Sequence, residues 1–272
     1  LPKESLELVQ MITHTVDRLL ISDDASPCTA DELLREASLI PGVDVVRHRK
    51  NEGIARGLND GLALAHRRNA KWLLTFDQDS MVSETYVDSL VDMATKRFHA
   101  GERLGALGAE VIQDFGGPMR YPTRHIGGFP CTEELIQTGT LWNVPALGDR
   151  GGFDESLGMD AVDAAACLAL RRAGFTIGVA TDLSLTHRIG TSQHVKLGGR
   201  SVMVTGHSPE RRSSMLRNRL RLFPAEFSQS PRHAFRTIRR VGVNQGLGLL
   251  LEHQRWEKAK GTMQGFRPGQ YR

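Results

Sequence analysis

Apolar positions along this chain alternate between two spacings, three-to-four and continuous. In residues 3–15, Leu8, Met11 and Ile12 recur at helical intervals. The run Leu19-Leu20-Ile21 then breaks into Ser22-Asp23-Asp24-Ala25-Ser26-Pro27, a strand running into a loop. Residues 31–37 predict a helix and residues 43–46 a strand. A longer helix is predicted over 53–68, with Ile54, Leu58, Leu62 and Ala65 on one face. Residues 72–76 form a buried type of strand that stops at Asp77. Strand and helix in alternation predict an α/β domain with a parallel sheet covered on both faces.

Beyond residue 98 the pattern loosens. Residues 104–112 read as a strand, 116–130 as an irregular loop rich in Gly and Pro, and 135–144 as extended chain. A helix over 161–173 is closed by Gly174, followed by a strand at 176–180 and the run Leu183-Ser184-Leu185. Two further helices are predicted over 213–222 and 233–260. This gives a nucleotide-binding type of half (1–100), a second half of the same domain (101–190) and a helical extension (191–272).

The 272 residues are 40% hydrophobic and 24% charged, which excludes disordered, collagenous and coiled-coil classes. No stretch approaches the roughly 18 consecutive apolar residues of a spanning helix, and no secretory signal is visible. Cys28, Cys131 and Cys167 are odd in number and far apart, so they predict neither a disulfide framework nor a zinc site. A cytoplasmic protein is expected. The net charge of +4 divides unevenly: residues 188–272 carry 17 basic against 4 acidic side chains, and the rest of the chain is acidic overall. Such a tail is either a solvated helical face or a surface for an anionic partner: nucleic acid, anionic lipid or a diphosphate-bearing ligand. The acidic body and the lack of interleaved aromatics argue against nucleic acid.

The sharpest chemistry lies in Phe76-Asp77-Gln78-Asp79-Ser80. Two carboxylates spaced i, i+2 at the carboxyl end of a strand can point the same way, into the place where open α/β sheets bind ligands. Their mutual repulsion is relieved by a divalent cation of the Mg²⁺ type, or the pair simply caps a loop. Gly53, Gly57 and Gly61 lie four apart on one helical stripe, so something approaches that backbone closely, either a neighbouring strand or a ligand's phosphates. Asn51 and Arg56 could meet a diphosphate at the helix start. Asp23 and Asp24 end another strand, suited to a base or ribose or to an ordinary turn. Asp163, in the first turn of its helix, is either stabilised by the helix dipole or placed as a general base. His187 is a structural histidine or a nitrogen ligand to the same metal.

In order along the chain, Ser22-Asp23-Asp24-Ala25-Ser26, Asn51-Glu52-Gly53-Ile54-Ala55, Asn59-Asp60-Gly61, Phe76-Asp77-Gln78-Asp79-Ser80, Ile136-Gln137-Thr138-Gly139, Gly151-Gly152-Phe153-Asp154-Glu155, Asp160-Ala161-Val162-Asp163 and His187-Arg188-Ile189-Gly190 resemble family 2 glycosyltransferases, most closely their bacterial rhamnosyltransferase branch. Residues 211–218, ending in Arg217-Asn218, also resemble that branch. The resemblance implies a GT-A fold (a Rossmann-like mixed sheet with helices on both faces) plus the basic helical extension. It implies a nucleotide-sugar donor, dTDP-rhamnose foremost, Mn²⁺ or Mg²⁺ as cofactor, and inversion by direct displacement. The acceptor would be a glycan or lipid-linked glycan of the cell envelope, with the basic tail near an anionic membrane surface. Carried over residue by residue, Asp23, Asp24, Asn51, Gly53, Arg56, Asn59 and Asp77 would bind the donor. Asp77, Asp79 and His187 would bind the metal, and Asp163 would be the base. Trp142 would offer a platform to the acceptor, with Arg211 and Arg217 beside it. Two departures stand out. Ala165 and Ala169 occupy positions where the family has an acidic residue and an arginine, and the chain opens inside the helix that follows the family's first strand. A donor for another sugar, galactofuranosyl or hexosyl, and a catalytically silent scaffold are the alternatives these features leave.

Overall fold

The computed structural model describes residues 3–114, 117–187, 193–197, 200–204, 206–251 and 255–265. They fall into two compact units: residues 1–113, 119–158 and 162–187 form one, and residues 114–118, 159–161 and 188–272 the other.

In the first unit the chain runs α1 (Lys3–Thr13), β1 (Leu19–Asp23), α2 (Asp31–Ser38), β2 (Val43–Arg47), α3 (Ile54–Arg67), β3 (Trp72–Thr75), β4 (Ser80–Met81) and α4 (Tyr86–His99). It continues with β5 (Leu104–Asp114), β6 (Gly117–Arg120), β7 (Arg124–Ile126), β8 (Phe129–Cys131), β9 (Thr140–Asn143), α5 (Val144–Gly148), α6 (Val162–Arg172) and β10 (Thr176–His187). β1 and β2 pair in parallel. The main sheet has the order β3-β9-β5-β10-β8-β7, with β4 on β10 and β6 on β5. β10 runs parallel to β5, while β9 is antiparallel to both β3 and β5.

Alternation along the central strands sends side chains to two cores. Ala106, Trp142, Ile177 and Val179 pack with α3, α5 and α6 on one face. Leu107, Leu141, Ala180 and Leu185 pack with α1 and α4 on the other. A mixed sheet with helices on both faces is the architecture the family resemblance implies, and burying both faces is what makes the strands apolar. Among the described strand pairs, the parallel sheet expected from strand–helix alternation holds for β1–β2 and β5–β10 only, because β4, β7, β8 and β9 pair antiparallel.

Three stretches differ from expectation. The loop expected over 116–130 contains β6, β7 and β8. Gly127 and Gly128, both at positive φ, form the two-residue turn of the β7–β8 hairpin, so the glycine pair that suggested a loop is a hairpin signal. Over 135–144 only Thr140–Asn143 is strand, and it ends where Asn143 caps α5 by accepting the Ala146 N–H at 3.0 Å. The strand expected at 176–180 continues through a bulge to His187 as one element.

The second unit holds the hairpin β11 (Gln193–Leu197) and β12 (Arg200–Val204) with helices α7 (Pro209–Gln229), α8 (Pro231–Leu251) and α9 (Arg255–Gly265). α7 extends beyond the expected 213–222, and the helix expected over 233–260 is two. Pro209 at the first helical position and the Ser208 hydroxyl, accepting the Arg211 N–H at 3.3 Å, start α7. Arg188, Ile189 and Gly190 of the matched segment lie outside the described residues. No described helix is long and apolar enough to cross a membrane.

Candidate active site

β3 ends at Thr75 and the chain turns through Phe76 to Asp79, with the Ser80 N–H closing on the Asp77 carbonyl at 3.2 Å. Ser80 then opens β4, which pairs antiparallel with the end of β10 so that His187 stands directly opposite Ser80. This register closes a gap of 107 residues and sets the imidazole between two carboxylates. Nε2 of His187 lies 3.5 Å from Asp77 Oδ2, and Nδ1 lies 3.2 Å from Asp79 Oδ1. One donor atom from each of the three residues falls within 4.8 Å of the others. Two carboxylate oxygens and an imidazole nitrogen converging on one point fit a divalent cation, which would offset the repulsion between the carboxylates.

The turn is held by residues whose role the sequence did not reveal. The Gln137 amide donates to Asp77 Oδ1, and the Asp77 N–H donates to Thr138 Oγ1 at 2.9 Å. The Gly139 N–H reaches the Thr75 carbonyl at 2.7 Å, and the Tyr86 hydroxyl donates to the Gly139 carbonyl at 2.6 Å. On the other side, Ser5 donates its hydroxyl to the Gln78 carbonyl at 2.5 Å. Gly139 is at φ +67°, and a Cβ there would lie 2.3 Å from Leu185 Cδ2 and 2.8 Å from the Tyr86 oxygen. Overpacking and a left-handed backbone together make Gly139→Ala destabilising by about 2–4 kcal/mol. A denaturant midpoint equal to that of the wild type would show that this turn yields freely.

At the end of β1, Asp23 is buried and forms an ion pair with Arg47 Nε at 3.1 Å. Asp24 accepts the N–H groups of Glu52 (2.7 Å) and Gly53 (2.9 Å), fixing the turn that enters α3. His48, absent from the sequence-based candidates, bridges Asp24 (Nδ1, 3.3 Å) and Asp60 (Nε2, 2.7 Å) with its ring buried. Ser22 and Arg56 also meet Asp60, at 3.2 and 3.3 Å. Burial opposes charge on His48, but the two carboxylates outweigh it and raise its pKa. Burial likewise opposes ionisation of Asp24, and the two backbone N–H groups with His48 outweigh it, lowering its pKa.

The stabilising contribution of His48 is complete below its ordinary pKa of about 6.5 and fades as pH rises through its raised folded value. That of Asp24 is complete above its ordinary value and fades as pH falls through its lowered folded value. His48→Gln therefore costs about 1.5 kcal/mol at pH 6 and distinctly less at pH 9. Melting temperatures of both proteins across that range test this, and a difference that does not change with pH would refute it.

The glycine stripe is explained by packing. A Cβ on Gly57 would sit 3.1 Å from Ser22 Oγ, and one on Gly61 would sit 3.4 Å from Leu73. At Gly53, φ is +89° and the Gly158 carbonyl would be 2.8 Å from a Cβ, so only glycine fits. Asn59, expected at the donor, staples α3 to the 151–155 loop. Its Oδ1 accepts the Phe153 N–H, and its Nδ2 donates to Phe153 O and Glu155 Oε1, at 2.8–2.9 Å. Its amide is thereby engaged on both ends. Asn51 is exposed beside this turn.

Residues 3–107 match the glycosyl transferase family 2 profile. The chain is 26% identical over 183 residues to the dTDP-rhamnosyl transferase RfbF of Shigella flexneri, an alignment covering 62% of this chain and 59% of that one. Over residues 3–107 the chain is thus similar to family 2 glycosyltransferases. Its fold is that of GT-A transferases. S. aureus TarS 1-349 in complex with UDP superposes with a TM-score of 0.57 at 14% identity, covering 97% of this chain and 76% of that one. GalNAc-T7 with UDP, GalNAc and Mn²⁺ gives 0.55 at 15% identity, covering 76% of this chain and 41% of that one. The chain thus spans less than two thirds of the length of the curated relative and of the GalNAc-T7 chain.

Elsewhere in the first unit, Asp163 stands in the first turn of α6, where its carboxylate accepts the Ala164 N–H at 2.8 Å. Ala165 packs against the core and Ala164, Ala166 and Cys167 are buried, so α6 is anchored by small apolar residues. Burial pushes the Cys167 thiol up to about 12, leaving it a packing group. Trp142 is corrected: it is fully buried in β9, edge-on to Phe153 at 5.3 Å, and donates its indole N–H to Thr75 Oγ1 at 2.9 Å. It has no surface left to offer an acceptor.

In the second unit Arg211 Nε lies 3.3 Å from Asp160 Oδ1, and the Asn218 amide donates to the Asp160 carbonyl at 2.8 Å. Two segments matched separately in sequence thus meet at Asp160. Burial raises the pKa of the Asp160 carboxyl despite Arg211. Arg217 donates to Ser213 Oγ on its own helix at 3.0 Å.

Proposed function

We propose that this chain is an inverting, divalent-metal-dependent glycosyltransferase that moves rhamnose from dTDP-rhamnose to a hydroxyl of a cell-envelope precursor, a glycan or lipid-linked glycan. The observation that carries the reading is the convergence of Asp77, Asp79 and His187 where β3 and β10 end together. The similarity to a dTDP-rhamnosyl transferase supports the choice of donor.

Asp77, Asp79 and His187 would hold the cation, whose chemistry is to stabilise negative charge on a departing diphosphate. The turn held by Asp24 and His48 would shape the nucleotide side of the site, with Asp23, Asn51, Gly53 and Arg56 beside it. Asp163 takes the proton from the acceptor hydroxyl as its oxygen attacks the anomeric carbon. The bond from that carbon to the diphosphate oxygen breaks on the opposite face and its electron pair leaves with the nucleoside diphosphate, inverting the centre. Arg211 and Arg217 would border the acceptor, and the basic tail would keep the enzyme close to an anionic membrane.

Melting temperature measured with Mn²⁺ or Mg²⁺ and with dTDP, UDP or GDP, singly and in pairs, tests this without any acceptor. A ligand that binds only the folded state at 100 times its Kd stabilises by about 2.7 kcal/mol. A shift requiring metal and dTDP together is the expected result. A shift with UDP or GDP alone among the nucleotides would replace the donor, and none with any pair would leave a silent scaffold.

A further inference from the structure

Phe223 and Phe227, one turn apart on α7, meet Phe235 in the first turns of α8. Their ring centroids are 5.8 Å (Phe223–Phe227), 5.8 Å (Phe223–Phe235) and 5.6 Å (Phe227–Phe235) apart, the last two edge-to-face. Such a trio normally fills a core. Here Phe227 is 43% and Phe235 60% exposed. The same exposed side of α8 carries Arg232, Arg236 and Arg239, three and four residues from Phe235 or from one another, then Val243 and Leu250. α8 contains four arginines and no acidic residue. A rigid aromatic knuckle is therefore ringed by positive charge.

We propose that this face docks onto an anionic phospholipid bilayer, with Phe227 and Phe235 entering the boundary between headgroups and acyl chains and Arg232, Arg236 and Arg239 meeting lipid phosphates. Amphipathic helices with aromatics on the buried side and arginines at its margin bind bilayers in this way. Single-stranded nucleic acid would use aromatic faces as stacking platforms, whereas these rings pack against one another. A protein partner's contact would be depleted of charge at its centre, whereas Arg232, Arg236 and Arg239 flank Phe235 here, which corrects the lack of interleaved aromatics read from the sequence. The proposal gives residues to the membrane-proximal acceptor of the proposed function and rests on that part of it alone.

The full chain is sedimented with vesicles of phosphatidylcholine, with and without 30% phosphatidylglycerol, in the absence of metal and nucleotide. Binding to the anionic vesicles only is expected. F227S/F235S should lower the apparent affinity about tenfold or more. Each Arg→Gln at 232, 236 or 239 should lower it roughly fivefold, the equivalent of about 1 kcal/mol per arginine. Absence of binding, or binding that F227S/F235S leaves unchanged, overturns the proposal. So does a self-association of the wild type, seen in sedimentation velocity without vesicles, that F227S/F235S abolishes. Variants that keep the wild-type melting temperature and its metal–dTDP response are folded. Failure to dock then reads separately from failure of the transferase assignment.

Discussion

Asp79→Ala abolishes the stabilisation by metal and nucleotide together while leaving the unliganded melting temperature within a degree or two of wild type. The carboxylate is well exposed, so its pairing with His187 adds little to folding, and removing it relieves its repulsion with Asp77. The loss appears only when a cation must be held. Replacing hydrogen-bonding partners of metal ligands typically costs 10- to 100-fold in metal affinity, and removing a ligand costs at least as much, so a fall of roughly 100-fold is expected. Titration of Mn²⁺ into the protein with dTDP present measures it. A variant that binds as the wild type does would move the cation elsewhere.

Asp163→Asn separates binding from chemistry. The amide keeps the size of the carboxylate and can still accept the Ala164 N–H, so α6 should start unchanged and the donor response should persist. What disappears is a group able to take the acceptor proton, and kcat should fall by about 10²–10⁴ with little change in donor KM. Transfer assayed with dTDP-rhamnose and an envelope glycan acceptor reads this directly. Full activity in the variant would place the base on another residue. Partial loss with a raised donor KM would make Asp163 a positioning group.

The pairing of Asp77 and Asp79 was legible because side chains alternate at a strand end and buried strands announce themselves by composition. Helices alternating with strands were legible from apolar spacing in α1 and α3 and from the glycine that closes α6. The glycine stripe signalled a close approach without saying to what. Only the positions of Ser22, Leu73 and Gly158 show that backbone and side chains fill that space. Trp142 could not be assigned from sequence, since an apolar ring suits a platform or a core equally. Gln137 and Thr138 stood in a matched motif and Tyr86 in none, and the role of all three was hidden because they act through contacts 53 to 61 residues distant in the chain. His48 carried a faint signal, a histidine between two aspartates of flanking motifs, but nothing local says that its ring is buried between them.

By itself the sequence determined the elements from α1 to β3, where the carboxylates end their strands and how charge divides between body and tail, because these depend on neighbours within a few residues. Tertiary structure decided that His187 closes on Asp77 and Asp79, that Asn59 bonds the 151–155 loop while Trp142 lies in the core, and that Phe227 and Phe235 remain exposed among arginines. The physical reason is register: the pairing of β4 with β10, and the approach of α7 to α8, join residues through non-local contacts that no local periodicity encodes.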